Sequence, residues 1–503
     1  MAAAAVATAA GASGRPTAVP DASPQPLFTA VDEPKAFRGN EAALAFERTA
    51  GAGATFACLT LRWRNVAPAE PPADEAADPE WAGYDWSGFD PQVRLAVRNG
   101  LQPIVVIQDS PTWAQAAAPD DASVGQWAIN FGFRDFWRPS AAALAAFVTA
   151  AAERYGGGVE GLPRVRYWQV WNEPNLSTFL NPQLRDQLTT RPSLPFNPAD
   201  VVSADLYRGL TNAVYAAIHG VHPDNVVIAG GTSPSAGVSG VVALGPLLFM
   251  RKLLCMSDAP NPKPTCRTAV HFDVWSTHPY TSGGPTHPPD LPDDVPIAAL
   301  PKMTTLLDAA VAAGHVLSDG PVRIWVTEFG WDTTPPDCCA VPLQLHARWV
   351  AEALYRMWQA GVSLVAWFDL RDQVSRGRDL DGQTLQSGLY FRGATLAQDT
   401  PKPALAAFRF PFVAFREQGK IAVWGRTPRG KPGSVVVEQG ANSAWTPIGT
   451  LQTDRAGIFE ATLEGTGGPY VRARLVGRAP AYTALPFSLK VPPDRHVNPF
   501  GGP

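Results

Sequence analysis

Residues 322–331 read VRIWVTEFGW, a short apolar run that ends on a carboxylate. Val322, Ile324, Trp325 and Val326 are β-branched or aromatic, and Gly330 closes the run, so a buried strand is expected over Val322–Thr327. Two-residue alternation puts Val322, Ile324 and Val326 on the side of Glu328, with apolar groups beneath an acid at the rim. A second stretch, VRYWQVWNEPN at 165–175, has the same layout, with a strand over Val165–Trp171 and Glu173 at its exit. Pro174 disfavours the helical region for its predecessor, which predicts extended backbone at Glu173.

Working outward, six more apolar runs of this kind appear: Leu27–Val31, Thr55–Leu61, Pro103–Ile107, Asn225–Ala229, Phe272–Thr277 and Ser363–Phe368. Between the runs lie Ala/Leu-rich helical stretches at Asn40–Ala50, Phe89–Asn99, Ala141–Tyr155, Ala204–His219, Ala298–Ala313, Leu343–Ala360 and Lys402–Phe408. Strands that read as continuous apolar runs have both faces covered. Eight such β–α units over residues 27–415 predict an α/β fold, a (β/α)8 TIM barrel with long insertions. A doubly wound open sheet is the runner-up. It calls for a Gly-rich phosphate turn after the first strand, and LFTAVDEPKAF at 27–37 has none.

Past residue 415 the pattern changes. The runs IAVWGR, SVVVEQ, WTPIGTLQ, GIFEATLEG, YVRARL and FSLKV alternate and are separated by Gly, Pro and Asp, which predicts a small all-β sandwich over residues 416–495. Residues 496–503 read as a tail and 1–26 as a disordered leader or the remnant of a signal peptide.

The 503 residues are 46% hydrophobic and 17% charged, with a formal charge of −4, so there is ample core and no basic surface for nucleic acid or an anionic membrane. No apolar stretch is long enough to span a membrane. Of five cysteines, Cys58 sits in the apolar run FACLTL and reads as a buried thiol. Cys255, Cys266, Cys338 and Cys339 allow three pairings, among which spacing does not choose. A disulfide among them, with the small-residue leader, points to export.

In a (β/α)8 barrel the chemistry sits where strands end. Glu173 and Glu328 end strands four and seven, across the mouth from one another. A single Glu after a strand is more often an ion-pair partner than a catalyst. Two in matched positions, each inside an aromatic-rich string, suit glycosidic cleavage, where one acid protonates the leaving oxygen and the other attacks the anomeric carbon or activates water.

WNEPN at 171–175 and TEFGW at 327–331 resemble the acid/base and nucleophile signatures of the retaining glycoside hydrolases of clan A, most closely family 39. The likeness spans the barrel, including THPY at 277–280 and PKPALAAF at 401–408. It implies Glu328 as nucleophile, Glu173 as general acid/base and retention of anomeric configuration. It implies Asn172 on the sugar 2-hydroxyl, Tyr280 on the nucleophile, His278 at the same strand end, and Trp367 as the aromatic floor of the sugar site. Trp168 and Trp325 read as core. Asp109 and Trp113, after strand three, join the candidate substrate contacts. The clan often carries an Arg in strand two that steadies the nucleophile; Cys58 stands there, and Arg62, four residues on, is the candidate replacement.

Other chemistries fare worse. No candidate strand ends in the Lys of a Schiff-base aldolase, and His271, His278 and Asp109 lack metal-ligand spacing, so neither metal nor cofactor is expected. The rivals are a carbohydrate-binding scaffold with a spent site, and a transglycosylase or phosphorylase on the same residues. The expected partner is an oligo- or polysaccharide; the sugar bound and endo or exo action stay open.

Overall fold

The structure is a computed structural model and describes residues 26–118, 136–187, 196–236, 241–377, 384–477, 482–493 and 495–497. The leader and tail expected from sequence lie outside these residues, apart from Pro26, His496 and Val497.

Eight strands are all parallel and close into a barrel: β1 (Phe28–Asp32), β2 (Phe56–Arg62), β3 (Gln102–Gln108), β4 (Tyr167–Val170), β5 (Val226–Thr232), β6 (Val274–Thr277), β7 (Arg323–Val326) and β8 (Val362–Phe368). Hydrogen bonding runs β1-β8-β7-β6-β5-β4-β3-β2, with β1 closing on β2. A helix follows every strand: α1 (Ala42–Gly51), α2 (Asp90–Arg98), α3 (Ala141–Arg154), α4 (Ser203–Val221), α5 (Pro246–Leu254), α6 (Leu300–Ala312), α7 (Leu343–Gln359) and α8 (Pro403–Arg409). This is the (β/α)8 barrel that the sequence predicts. Helix α5 was not among the expected helices, because PLLFMRKLL is a short apolar run whose period does not separate helix from strand.

Phe56, Cys58, Ile104, Ile228, Trp325 and Leu364 fill the barrel interior. The rings of Phe56, Tyr167 and Trp325 meet pairwise at centroid distances of 5.2–6.0 Å. Burying each large side chain there stabilises the barrel by about 1.5–3 kcal/mol. Trp325 therefore faces inward, whereas Ile324 and Val326 face the helices. This corrects the alternation expected for β7. The strand ends at Val326, so Glu328 reaches the mouth from irregular backbone and does not inherit the strand's parity.

Beyond α8 the chain forms two antiparallel sheets. One has three strands, β9 (Phe412–Glu417), β10 (Lys420–Arg426) and β13 (Ile458–Leu463); the other holds β11 (Ser434–Ala441), β12 (Ala444–Gln452), β14 (Tyr470–Leu475) and the short β15 (Phe487–Ser488). β9 begins at Phe412, so it straddles the boundary placed between 415 and 416. The sheets seat on the barrel's flank. Trp424 packs on Tyr355 and Trp358 of α7, Arg348 of α7 lies 3.9 Å over the Phe487 ring, and Arg429 bonds the carbonyls of Ala50 and Gly100. Cys255 and Cys266 form a disulfide just after α5, and the sulfurs of Cys338 and Cys339 lie 2.7 Å apart.

Under the loops after β7 and β8 lies a buried ionic network. Lys402 donates to Asp372 Oδ1 at 2.5 Å, Thr333 Oγ1 at 2.7 Å and the Gln386 carbonyl at 2.8 Å. Burial pushes Asp332 up to about 8 and Asp372 up to about 6, against an ordinary 3.8. Both carboxyls hold protons more tightly folded than unfolded. Their stabilising contribution is complete below the unfolded value and is lost as pH rises through the folded ones. The urea midpoint is therefore expected to fall between about pH 4 and about pH 8, and Asp332→Asn should flatten the upper part of that fall.

Candidate active site

Glu328 leaves β7 where the backbone is pinned on both sides. The Phe368 N–H donates to the Phe329 carbonyl at 2.8 Å, and a Cβ at Gly330 would sit 2.4 Å from the Phe368 carbonyl. Only glycine allows this approach of the β7 exit to the end of β8. Tyr280, three residues past β6, donates its hydroxyl to Glu328 Oε1 at 2.8 Å. Cys58 lies below, its sulfur 3.8 Å from the Thr327 carbonyl.

Glu173 reaches the mouth from strained backbone. Its φ is +40° and that of Trp171 is +68°, on either side of the half-buried Asn172. The expectation of extended backbone at Glu173 is corrected accordingly: Pro174 excludes the right-handed helical region, and the chain takes positive φ instead. Such residues cost on the order of 1–3 kcal/mol each and persist only where surroundings hold them. Here the Glu173 N–H donates to the Gly231 carbonyl at 2.9 Å, and a Cβ at Gly231 would lie 2.7 Å from Gln169 Nε2.

His278 joins the two acids. Its Nδ1 is 3.2 Å from Glu173 Oε1 and 3.8 Å from Glu328 Oε2, while Nε2 is 3.3 Å from Thr327 Oγ1. Burial pulls the imidazole pKa down, but the Glu328 and Glu173 carboxylates outweigh it, and the net shift is upward. Burial raises Glu328; the His278 ring opposes, Glu173 adds to the rise, and the Tyr280 hydrogen bond opposes again, leaving it above the ordinary glutamate range. Burial, then Glu328, also pushes the Tyr280 phenol up, so it stays a donor.

A third carboxyl escaped the sequence reading. Asp32 ends β1 on the interior face of Phe28 and Ala30, opposite Phe368 of β8, and its Oδ1 is buried without a hydrogen-bond partner. Burial and the nearby Glu328 and Glu33 hold its carboxyl well above the usual range, against Arg38. Continuing the alternation of Phe28 and Ala30 by one step would have found it.

The remaining candidates divide. Arg62 is at the mouth on β2, but its partner is Asp109 Oδ2 at 2.6 Å, with Arg64 on the same oxygen at 3.7 Å. Asp109, at a φ of +62°, is thus the anchor of two arginines. Trp113 bonds the Ala67 carbonyl and packs edge-on against Trp63, which ties it to the loops beside α3. Trp367 is a correction. It is buried against Phe329, His346 and Phe408, and its indole N–H donates to the Ser387 carbonyl, so it faces the helices. Its neighbour Phe368 occupies the inward position. Among the described residues, the His/Cys/Asp/Glu group with donor atoms close enough for a metal is Asp337, Cys338 and Cys339, in the loop after β7, outside the glutamate cluster. No helix among them is long and apolar enough to cross a membrane.

No protein-family model matches the chain, and no curated protein does. Solved structures show distant likenesses. A GH39 β-xylosidase from Caulobacter crescentus shares 16% identity over 84% of this chain and 84% of its own, with a TM-score of 0.46. A GH39 enzyme from Xanthomonas axonopodis pv. citri shares 16% over 87% and 91%, also at 0.46. A β-glycosidase from Pyrococcus horikoshii shares 11% over 76% and 92%, at 0.43. Likenesses this distant assign the chain to no family.

Proposed function

We propose that the chain is a retaining glycoside hydrolase that cleaves O-glycosidic bonds of an oligo- or polysaccharide by double displacement. The observation that carries this reading is His278 Nδ1, which lies 3.2 Å from one glutamate and 3.8 Å from the other. Two carboxyls against one nitrogen suit the closer of the two spacings used by glycosidases, about 5–5.5 Å for retention rather than about 6.5–9.5 Å for inversion. The resemblance of WNEPN and TEFGW to clan A signatures supports the same assignment of roles.

In this reading Glu328 is ionised and attacks the anomeric carbon through Oε2, because Oε1 is occupied by the Tyr280 hydroxyl. Glu173 gives its proton to the departing oxygen, then takes one from the water that opens the glycosyl-enzyme. His278 orients both acids and moderates their mutual repulsion. Export belongs to the same proposal and rests on the Cys255–Cys266 disulfide.

The test is stereochemical. Proton NMR during the first turnovers of a cleaved aryl glycoside should show the product with the substrate's anomeric configuration. An inverted first product contradicts the double displacement.

A further inference from the structure

Beside the mouth, on the β8 and β1 side, lies a cavity of 330 Å³. Its walls come from the loops after these strands, including Glu33, Gly39, Asp369, Arg371 and Val374. It falls within the roughly 300–1,000 Å³ of small-ligand sites. Asp369 and Arg371 line it at 3% and 7% exposure, and Asp369 Oδ1 and Arg371 Nε have no hydrogen-bond partner. Buried polar atoms without partners are costly, and a lining that carries a donor and an acceptor of this kind suits a ligand bearing hydroxyls.

The cavity's place in the barrel gives it a role. Glu173 on β4 protonates the leaving oxygen, so the departing half of the substrate lies towards β4. The retained half extends the other way from Glu328, over β8 to β1. Two strand spacings of about 4.8 Å separate β7 from β1, enough for one further sugar ring. Phe368, on the inward face of β8 and paired with Asp32, lies on that path, and Asp369 and Glu33 follow these two residues into the cavity.

We infer that this cavity binds a second, neutral sugar residue on the retained side of the scissile bond, so that the chain acts on oligosaccharides and releases a disaccharide or longer. The inference rests on the glycosidase reading above. Acid side chains (Glu33, Glu41, Asp369 and Asp372) outnumber the cations Lys35 and Arg392 at the lining, and Arg371 is already paired with Asp399, so the lining suits a neutral ring better than an acidic one. Burial holds the Asp369 carboxyl well above the usual range, so it can donate to one hydroxyl and accept from another.

Gly39 gives the test. It lines the cavity in extended backbone (φ −79°, ψ 172°), and an added Cβ would be 3.7 Å from the nearest atoms, so Gly39→Trp fills the space without straining the chain. On aryl monoglycosides the variant should keep kcat/KM within about two-fold of wild type. On neutral oligosaccharides from xylan, mannan, glucan and arabinan it should lose at least about ten-fold, chiefly through KM. Wild type should release disaccharides or longer products first. Turnover of chains without any turnover of monoglycosides also upholds the inference. It is overturned by monosaccharide as the first product, by equal effects of Gly39→Trp on both substrate types, or by preference for polygalacturonate over the neutral chains. If nothing at all is hydrolysed, the glycosidase reading fails, and affinity electrophoresis in gels of the same polysaccharides decides on the cavity. Retardation abolished by Gly39→Trp upholds it; no retardation, or retardation that the variant keeps, overturns it.

Discussion

With Glu328 as the proposed nucleophile, Glu328→Ala should lose activity on every glycoside, by several powers of ten in kcat, because no glycosyl-enzyme can form without the attacking carboxylate. The loss should not depend on the leaving group. Tyr280 loses its acceptor, but the strand ends stay joined through the Phe368 to Phe329 hydrogen bond, so the fold should persist and thermal melting should confirm it. Added azide has room to enter the vacated space and attack the anomeric carbon directly. The product to look for is a glycosyl azide of inverted configuration.

Glu173→Ala should behave differently, and the contrast separates the roles. Substrates with poor leaving groups need the proton and should lose several powers of ten. A dinitrophenyl glycoside departs without it, so the first step should survive and a covalent intermediate should accumulate, visible as a mass increment on the intact chain. Azide should restore turnover with retained configuration. Exchange of these patterns between the two variants would show the roles reversed; equal, modest losses in both would show that neither residue is catalytic.

The barrel was legible because its strands are fully covered. Runs such as Thr55–Leu61 and Ser363–Phe368 are apolar on both faces and alternate with helices of clear period, so only their ends moved. The two glutamates stand at the strand exits where the sequence places acids, Glu173 three residues past β4 and Glu328 two past β7. What sequence did not give was orientation at those exits. Trp367 and Phe368 are adjacent aromatics at the end of β8, and the family resemblance implies Trp367 as the sugar floor; one step of register turns it towards the helices. Extrapolated alternation failed at Trp325 because regular pleating stops two residues short of Glu328. Asp32 is less legible because the acids at the other exits lie inside aromatic strings, and TAVDEP at 29–34 has no aromatic residue. Arg62 could not be assigned because its partner, Asp109, comes from another strand's exit.

Under the proposed function, the seam between barrel and β-sheets bears on how the chain meets a polymeric substrate. Modules joined by flexible linkers act as tethered lures: they search a volume and raise the local concentration of substrate. Here the sheets share aromatic packing with α7 through Trp424, and Arg348 is clamped over Phe487. An apolar seam of this kind suppresses the domain motion that a linker permits. A glycan strand lying on the sheets would be held at a fixed offset from Glu328, with no slack to sweep the surface, so any guidance they give is that of a rail.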